Sequence, residues 1–228
     1  MSDRKTDYRT IETALRRRGA QPAGEGSAGG APAGGGRESR GAAEAAARVA
    51  RRMADEGLAV VTYAPAESPF GTLLLAATTR GLVRLAFPEE GLDAMLEGLA
   101  RRISPRIVEA PGSLDEARRE LEEYFSGRRR AFELALDWRL VGPFGRRVLG
   151  VTAEIPYGGV LSYAEVAADA GSPRGHRAAG NALGANPMPI VIPCHRVLRS
   201  GGALGGYGGG TQRKRWLLEL EGALPPAR

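Results

Sequence analysis

A run of Gly, Ala, Pro and Ser from residue 19 to 47 (GAQPAGEGSAGGAPAGGGRESRGAAEAAA) constrains this chain more than any other feature. It carries too few large apolar groups to offset the entropy of ordering the backbone. Residues 1–47 are therefore read as a flexible leader, in which IETALRRRG can form a short basic helix, and folding falls to residues 48–228. With 43 % hydrophobic residues the chain can bury one sizeable core or two small ones. A single cysteine excludes intrachain disulfides, multi-cysteine zinc sites and any redox cycle needing a resolving thiol in the same chain. No segment approaches the roughly 20 apolar residues of a membrane helix, and MSDRKTDYRT lacks the apolar core of a signal peptide, which predicts a cytoplasmic protein with no membrane partner.

Apolar spacing predicts a helix from residue 45 to Met53, then a strand in LAVVTYA. GTLLLAATT and GLVRLAF, parted by a turn at Arg80-Gly81, predict a hairpin. GLDAMLEGLARRI and LDEARRELEEYF predict helices, the second capped by Ser113, and AFELALDW predicts a strand. Residues 48–138 thus form a small α/β scaffold domain with no evident nucleophile, carboxylate pair or ligand cluster.

The character changes after Trp138. Residues 143–228 hold ten Lys and Arg against five acids, a net +5 of the chain's +6, so a surface for a polyanion belongs to the domain 139–228. SYAEVAADAGSPRGHRAAGNALGAN reads as two helices around a tight turn at Gly171, the shape of a helix-turn-helix. Ser162 and Glu165 have capping-box spacing, and Ser172-Pro173 reads as an N-cap and N1 proline. The second helix is rich in small residues that permit close approach to a groove, with Arg177 as its one long cation. Arg177 reads either as a contact to nucleic acid or as a solvated helix residue.

In NPMPIVIPCHRVLRSGG, Ile190, Val191 and Ile192 read as a short buried strand that delivers Cys194, with His195 directly behind it. A lone cysteine is commonly a small buried hydrophobe. Here His195 and Arg196 are groups of the kind that lower a thiol pKa toward neutrality and so make a nucleophile. LGGYGGGTQRKRW has no Gly-Lys-Ser/Thr ending and is not a nucleotide phosphate loop. Its glycines suit a compliant wall against a flat ligand or, alternatively, a mobile surface loop. RKRWLLELEGA follows as an amphipathic helix with its cations toward solvent or phosphate.

Pro193-Cys194-His195-Arg196, preceded by Asn186-Pro187-Met188-Pro189-Ile190-Val191-Ile192, Ile155-Pro156-Tyr157-Gly158 and Ser162-Tyr163, closely resembles the O6-alkylguanine-DNA alkyltransferases over about 143–222. The likeness continues more weakly from about residue 58 and leaves out the leader. It implies an α+β fold, a small ribonuclease-H-like α/β domain followed by a winged-helix-like helix-turn-helix domain. It also implies a suicide repair protein that moves an alkyl group from O6 of guanine in double-stranded DNA to its own cysteine. It implies a monomer without cofactor that binds the minor groove, with O4-alkylthymine an open second substrate.

By the same resemblance Cys194 matches the alkyl acceptor, His195 the base acting through a water, Glu221 the carboxylate orienting that base, and Asn186 the brace of the turn. Tyr163 matches the residue that rotates the 3′ phosphate and donates to the extruded base, and Arg177 the finger that fills the vacated stack. Arg196, Ala178 and Leu183 fall among the DNA contacts, and Tyr207, Gly208, Gly209, Val197 and Pro189 around the guanine pocket. A nucleophile, base and orienter have the logic of a catalytic triad, and a base in a duplex has to be flipped before sulfur reaches it.

Some relatives bind zinc in the N-terminal domain or carry a four-cysteine sensor. Cys194, His176 and His195 are too few for either, so no metal is expected. Gly145 and Leu149 stand where many relatives have glutamine and tryptophan, which bears on packing rather than chemistry. Two other classes compete: a silent lesion binder, against which Cys194 speaks, and a helix-turn-helix regulator, for which a sensing domain is missing.

Overall fold

The computed structural model of the protein describes residues 58–225 continuously, with residues 45, 48, 49, 52, 53 and 56 before them. The leader and its short helix lie outside the described residues, and the helix expected from residue 45 to Met53 largely so. Residues 58–225 belong to one compact unit.

Alternation along the first strands explains how one sheet serves two cores. β1 (Val61–Ala66), β2 (Leu73–Thr78) and β3 (Gly81–Ala86) pair antiparallel in sequence, and β4 (Ile107–Glu109) joins β1 in parallel, giving the order β3-β2-β1-β4. Side chains of successive residues point to opposite faces, and an irregularity in the β2–β3 register at Ala76/Ala77 shifts that phase within β3. Val61, Ala76, Val83 and Ala86 face α1 (Leu92–Arg102) and bury its Met95 and Leu99. Leu73, Leu75, Leu82 and Leu85 face the other way, onto Leu121 and Tyr124 of α2 (Asp115–Phe125). That second face shares one cluster with Val148, Leu149, Val166, Ile192 and Leu217, so the sheet is a floor for the C-terminal half.

The hairpin and both helices form as the sequence predicts. Two N-terminal expectations do not hold. Ser113 does not cap α2: the N-cap is Leu114, and Ser113 Oγ instead donates to the Ala110 carbonyl at 2.8 Å. AFELALDW is not a strand, because it pairs with β3 at one position only, Leu82 with Leu136. That pairing still needs Gly81, where a Cβ would lie 2.1 Å from the Ala135 carbonyl oxygen.

In the C-terminal half, α3 (Pro143–Ala153) opens with proline at its first turn. The helix-turn-helix is α4 (Tyr163–Asp169) and α5 (His176–Gly184), which pack on each other and on α3. The capping box forms: Ser162 Oγ accepts from Glu165 N at 3.2 Å, and Glu165 Oε2 accepts from Ser162 N at 2.6 Å. Gly171 takes φ 76° and ends α4. Ser172 and Pro173 do not start α5. They close a tight turn in which Gly175 N donates to the Ser172 carbonyl at 2.7 Å, and α5 begins at His176. β5 (Leu161–Ser162) and β6 (Val197–Leu198) pair in parallel beside the turn that holds Cys194, and α6 (Thr211–Leu220) closes the chain. No helix among the described residues is long and apolar enough to cross a membrane.

Candidate active site

The turn from Asn186 to Arg196 is built by its own polar groups. Ile190, Val191 and Ile192 are buried as expected but form no strand. Ile192 N donates back to the Met188 carbonyl at 2.8 Å, and Ile190 sits at φ 75°, a conformation unfavourable for a β-branched residue. Asn186 holds this geometry. Its Nδ2 donates to the Ile192 carbonyl at 2.9 Å and to Cys194 Sγ at 3.2 Å, while its Oδ1 accepts from Met188 N at 3.0 Å. Pro193, at φ −80° and ψ 59°, is the centre of an inverse γ-turn closed by Cys194 N on the Ile192 carbonyl at 2.8 Å. The turn leaves Cys194 buried, at the wall of a cavity.

Behind the thiol, Glu221 gathers donors from three parts of the chain. Its Oε1 accepts from Tyr124 Oη at 2.7 Å and Arg196 Nη2 at 2.8 Å and lies 3.0 Å from His195 Nε2, while Oε2 accepts from Arg196 Nε at 2.9 Å. Gly158 N adds a longer contact at 3.4 Å, and a Cβ there would meet the Glu221 carbonyl oxygen at 2.9 Å. Burial pushes the Glu221 carboxyl up, but His195 and Arg196 more than offset this and hold it at about 2. An ionised carboxylate only accepts, so His195 Nε2 carries the proton. His195 Nδ1, buried with no partner among the described residues, is then the basic nitrogen. Burial, reinforced by Arg196 and Lys214, keeps this imidazole below its ordinary pKa despite Glu221, and therefore neutral.

Arg196, expected among the DNA contacts, points into the core and not to the surface. It is buried, spends Nε and Nη2 on Glu221, and donates Nη1 to the Ile155 carbonyl at 2.5 Å. The reason is charge: a buried carboxylate needs a paired cation, and Arg196 offers the matching fork. Nor do His195 and Arg196 lower the thiol pKa. Burial pushes Cys194 up to about 11, opposed by the Asn186 hydrogen bond and the Lys214 charge. At neutral pH the acceptor is a thiol that must give up a proton as it reacts.

Cys194 lines a cavity of about 870 Å³ shared by α4, α5 and the glycine-rich loop. Tyr163, Arg177, Leu183, Tyr207 and Gly208 line it too. Arg177 and Ala178 are exposed on α5, whereas Leu183 is buried in the wall. Tyr163 Oη donates to the Gly206 carbonyl at 3.3 Å, and a Cβ at Gly205 would come within 2.9 Å of Tyr163 Oη. Pro189, Val197 and Gly209 are buried behind this lining and not in it.

Three residues at this site escaped sequence reasoning. Tyr124 arrives from α2, which shows no chemistry of its own; Arg199 lines the cavity mouth. Lys214, expected toward solvent or phosphate, is fully buried: its Nζ donates to the Val197 carbonyl at 2.5 Å and sits 5.7 Å from the Tyr163 ring centre. Burial lowers its pKa to about 8 although Cys194 acts the other way. The signal was the spacing of Lys214 with Leu217 and Leu218, which places all three on the buried side of α6.

A helix-turn-helix set over a braced thiol and a carboxylate-backed histidine defines a class that known proteins share. Residues 143–223 match the family model described as "6-O-methylguanine DNA methyltransferase, DNA binding domain", and residues 61–138 match "6-O-methylguanine DNA methyltransferase, ribonuclease-like domain". The chain belongs to the methylated-DNA–protein-cysteine methyltransferase family. It is 39 % identical over 168 residues to the enzyme of that name from Mycobacterium tuberculosis, covering 74 % of this chain and 96 % of the relative. With the one from Methanosarcina barkeri it shares 42 % over 156 residues, covering 68 % and 93 %. Among solved structures, the crystal structure of Mycobacterium tuberculosis OGT in complex with DNA is similar at TM-score 0.61 and 40 % identity, covering 70 % of this chain and 92 % of that one.

Proposed function

We propose that the protein repairs DNA by irreversible, single-turnover transfer of the alkyl group of O6-alkylguanine to Cys194. One observation carries this reading: the only thiol of the chain lines a cavity under a helix-turn-helix, braced by Asn186 and backed by a neutral, Glu221-anchored His195. A cavity of about 870 Å³ lies in the range of small-ligand sites and can take one extruded base.

His195 Nδ1 takes the thiol proton through a water, and Glu221 stays ionised to balance the imidazolium. The sulfur attacks the alkyl carbon, the bond from that carbon to O6 breaks, and the electron pair returns to the base. Guanine regains its carbonyl and takes a proton at N1 through water, which balances the one that the imidazolium returns to water. The thioether stays on the protein, so each molecule acts once.

Arg177 fills the gap left by the flipped nucleotide, which offsets part of the unstacking cost. Tyr163 turns the adjacent phosphate. Ala178, Gly180 and Gly184 let α5 approach the minor groove closely, which suits a search independent of sequence. The protein acts as a monomer in the cytoplasm, where the free thiol stays reduced. The test is intact-protein mass after incubation with duplex DNA carrying O6-methylguanine. One added methyl group, mapped to Cys194 and absent in Cys194→Ala, is expected; transfer that survives Cys194→Ala overturns the assignment.

A further inference from the structure

The glycine-rich wall of the cavity has little rigidity of its own. Gly205, Gly206, Gly208, Gly209 and Gly210 flank Tyr207, with positive φ at Gly205 and Gly210. What stands behind it comes from the other half of the chain. Phe87, at the end of β3, packs edge-on to Tyr207 with ring centres 6.0 Å apart. A Cβ at Gly209 would lie 2.6 Å from the Phe87 ring, so the wall at that point is a bare peptide against an aromatic face.

Arg213 fastens the two. Its guanidinium lies 4.7 Å from the centre of Phe87 and 5.6 Å from that of Phe70. Nη1 donates to the Gly209 carbonyl at 2.9 Å and to Glu89 Oε2 at 3.0 Å, while Nη2 donates to Glu89 Oε1 at 2.5 Å. One side chain thus joins the loop backbone to two aromatic rings and a carboxylate more than a hundred residues earlier in sequence. A guanidinium can do this because it is planar, stacks on rings and donates in several directions at once.

We propose that Arg213, seated on Phe87 and Glu89, is a specificity-determining strap that limits how large an alkyl group the cavity accepts. The proposal rests on the alkyl-transfer reading above. The alkyl group of a base held beside Cys194 is confined by Tyr207 and Gly208, and these cannot retreat while Gly209 is held against Phe87. A methyl group needs no retreat. A benzyl group does.

The experiment compares transfer from duplex DNA carrying O6-methylguanine with transfer from the same duplex carrying O6-benzylguanine, both at saturation. The proteins are wild type, Glu89→Gln and Arg213→Met. The methionine keeps the apolar stem and removes the guanidinium. Taking the ratio of the two rates cancels DNA affinity and base flipping. In Arg213→Met the benzyl-to-methyl ratio should rise about tenfold, the scale on which apolar pockets discriminate by size.

Glu89→Gln should raise the ratio about twofold, because the Glu89 side chain is 67 % exposed and such pairs are weak. Amide exchange across residues 205–210 should quicken in the same order. An unchanged ratio in active protein, or equal losses on both substrates, overturns the strap alone. A wild-type protein that transfers neither group overturns the strap together with the alkyltransferase reading.

Discussion

The two halves of the described chain use buried polar groups in opposite ways. In the N-terminal half, Asp137 and Glu120 are the buried carboxylates, and each ties neighbouring backbone together. Asp137 Oδ2 accepts from Thr78 Oγ1 at 2.6 Å and Oδ1 from Arg139 N at 3.1 Å, while Glu120 Oε2 accepts from Glu133 N at 2.9 Å. In the C-terminal half, Asn186, His195, Arg196, Lys214 and Glu221 are buried within reach of one turn. Scattered buried charges each stabilise local structure. Concentrated ones hold a reactive group in a fixed protonation state, at a desolvation cost only a functional site has reason to carry. Tyr124 breaks the division, since its hydroxyl reaches from α2 to Glu221.

The largest effect expected is on the C-terminal side. His195→Ala should slow methyl transfer by about 10²- to 10⁴-fold, the usual contribution of a general base. Its rate should also gain a pH slope. With the thiol at about 11, the thiolate fraction grows about tenfold per unit through neutral and alkaline pH, whereas the wild-type rate stays flatter. Single-turnover rates across pH check this, and a flat profile in the variant would mean that Cys194 is deprotonated by another group.

Next in size is the contrast between two buried carboxylates. Glu221→Gln leaves the Arg196 charge without its anion and should cost about 3–5 kcal/mol of stability together with most of the activity. Asp137→Ala should cost about 1–3 kcal/mol and leave transfer at saturating DNA unchanged. Denaturant melts beside transfer rates decide, and lost transfer in folded Asp137→Ala would break the comparison. Acid gives a second check. The folded pKa of Glu221 lies below the ordinary carboxylate value, so its contribution is complete above about pH 4.5 and fades as pH falls toward about 2. Glu221→Gln should lack that part of the acid transition.

The smallest effect tests the exception. Tyr124→Phe keeps the ring that packs on Phe125, Phe132 and Tyr157 and removes only the hydroxyl. It should lower stability by about 1 kcal/mol and slow transfer by about fivefold or less. A wild-type transfer rate in Tyr124→Phe would mean that the Tyr124 hydroxyl plays no part in holding Glu221 for transfer.

Much of the architecture was legible because local chemistry repeats at short range. β-Branched residues and leucines on either side of Arg80-Gly81 marked the hairpin, helical apolar patterns marked α1 and α2, and Ser162 with Glu165 marked the start of α4. In both misreadings that follow, a compositional signal is outvoted by particular hydrogen bonds that composition does not encode. Ser172-Pro173 has the composition of a helix start, yet the chain spends it on a turn before α5. Ile190-Val191-Ile192 has the composition of a strand, yet Asn186 folds it into a loop.

By itself the sequence determined the single cysteine, the basic C-terminal half and the pair of helices around Gly171, because these depend on residue type and on spacings of a few residues. Only the tertiary structure decided where the cations went. Arg196, Lys214 and Arg213 look alike as exposed basic residues in a DNA-binding domain. The fold turns the first onto Glu221, buries the second under Tyr163 and straps the third to Phe87 and Glu89. Those partners lie from 25 to 126 residues away along the chain. A charge's environment is set by what packs against it, and no periodicity along the backbone encodes that.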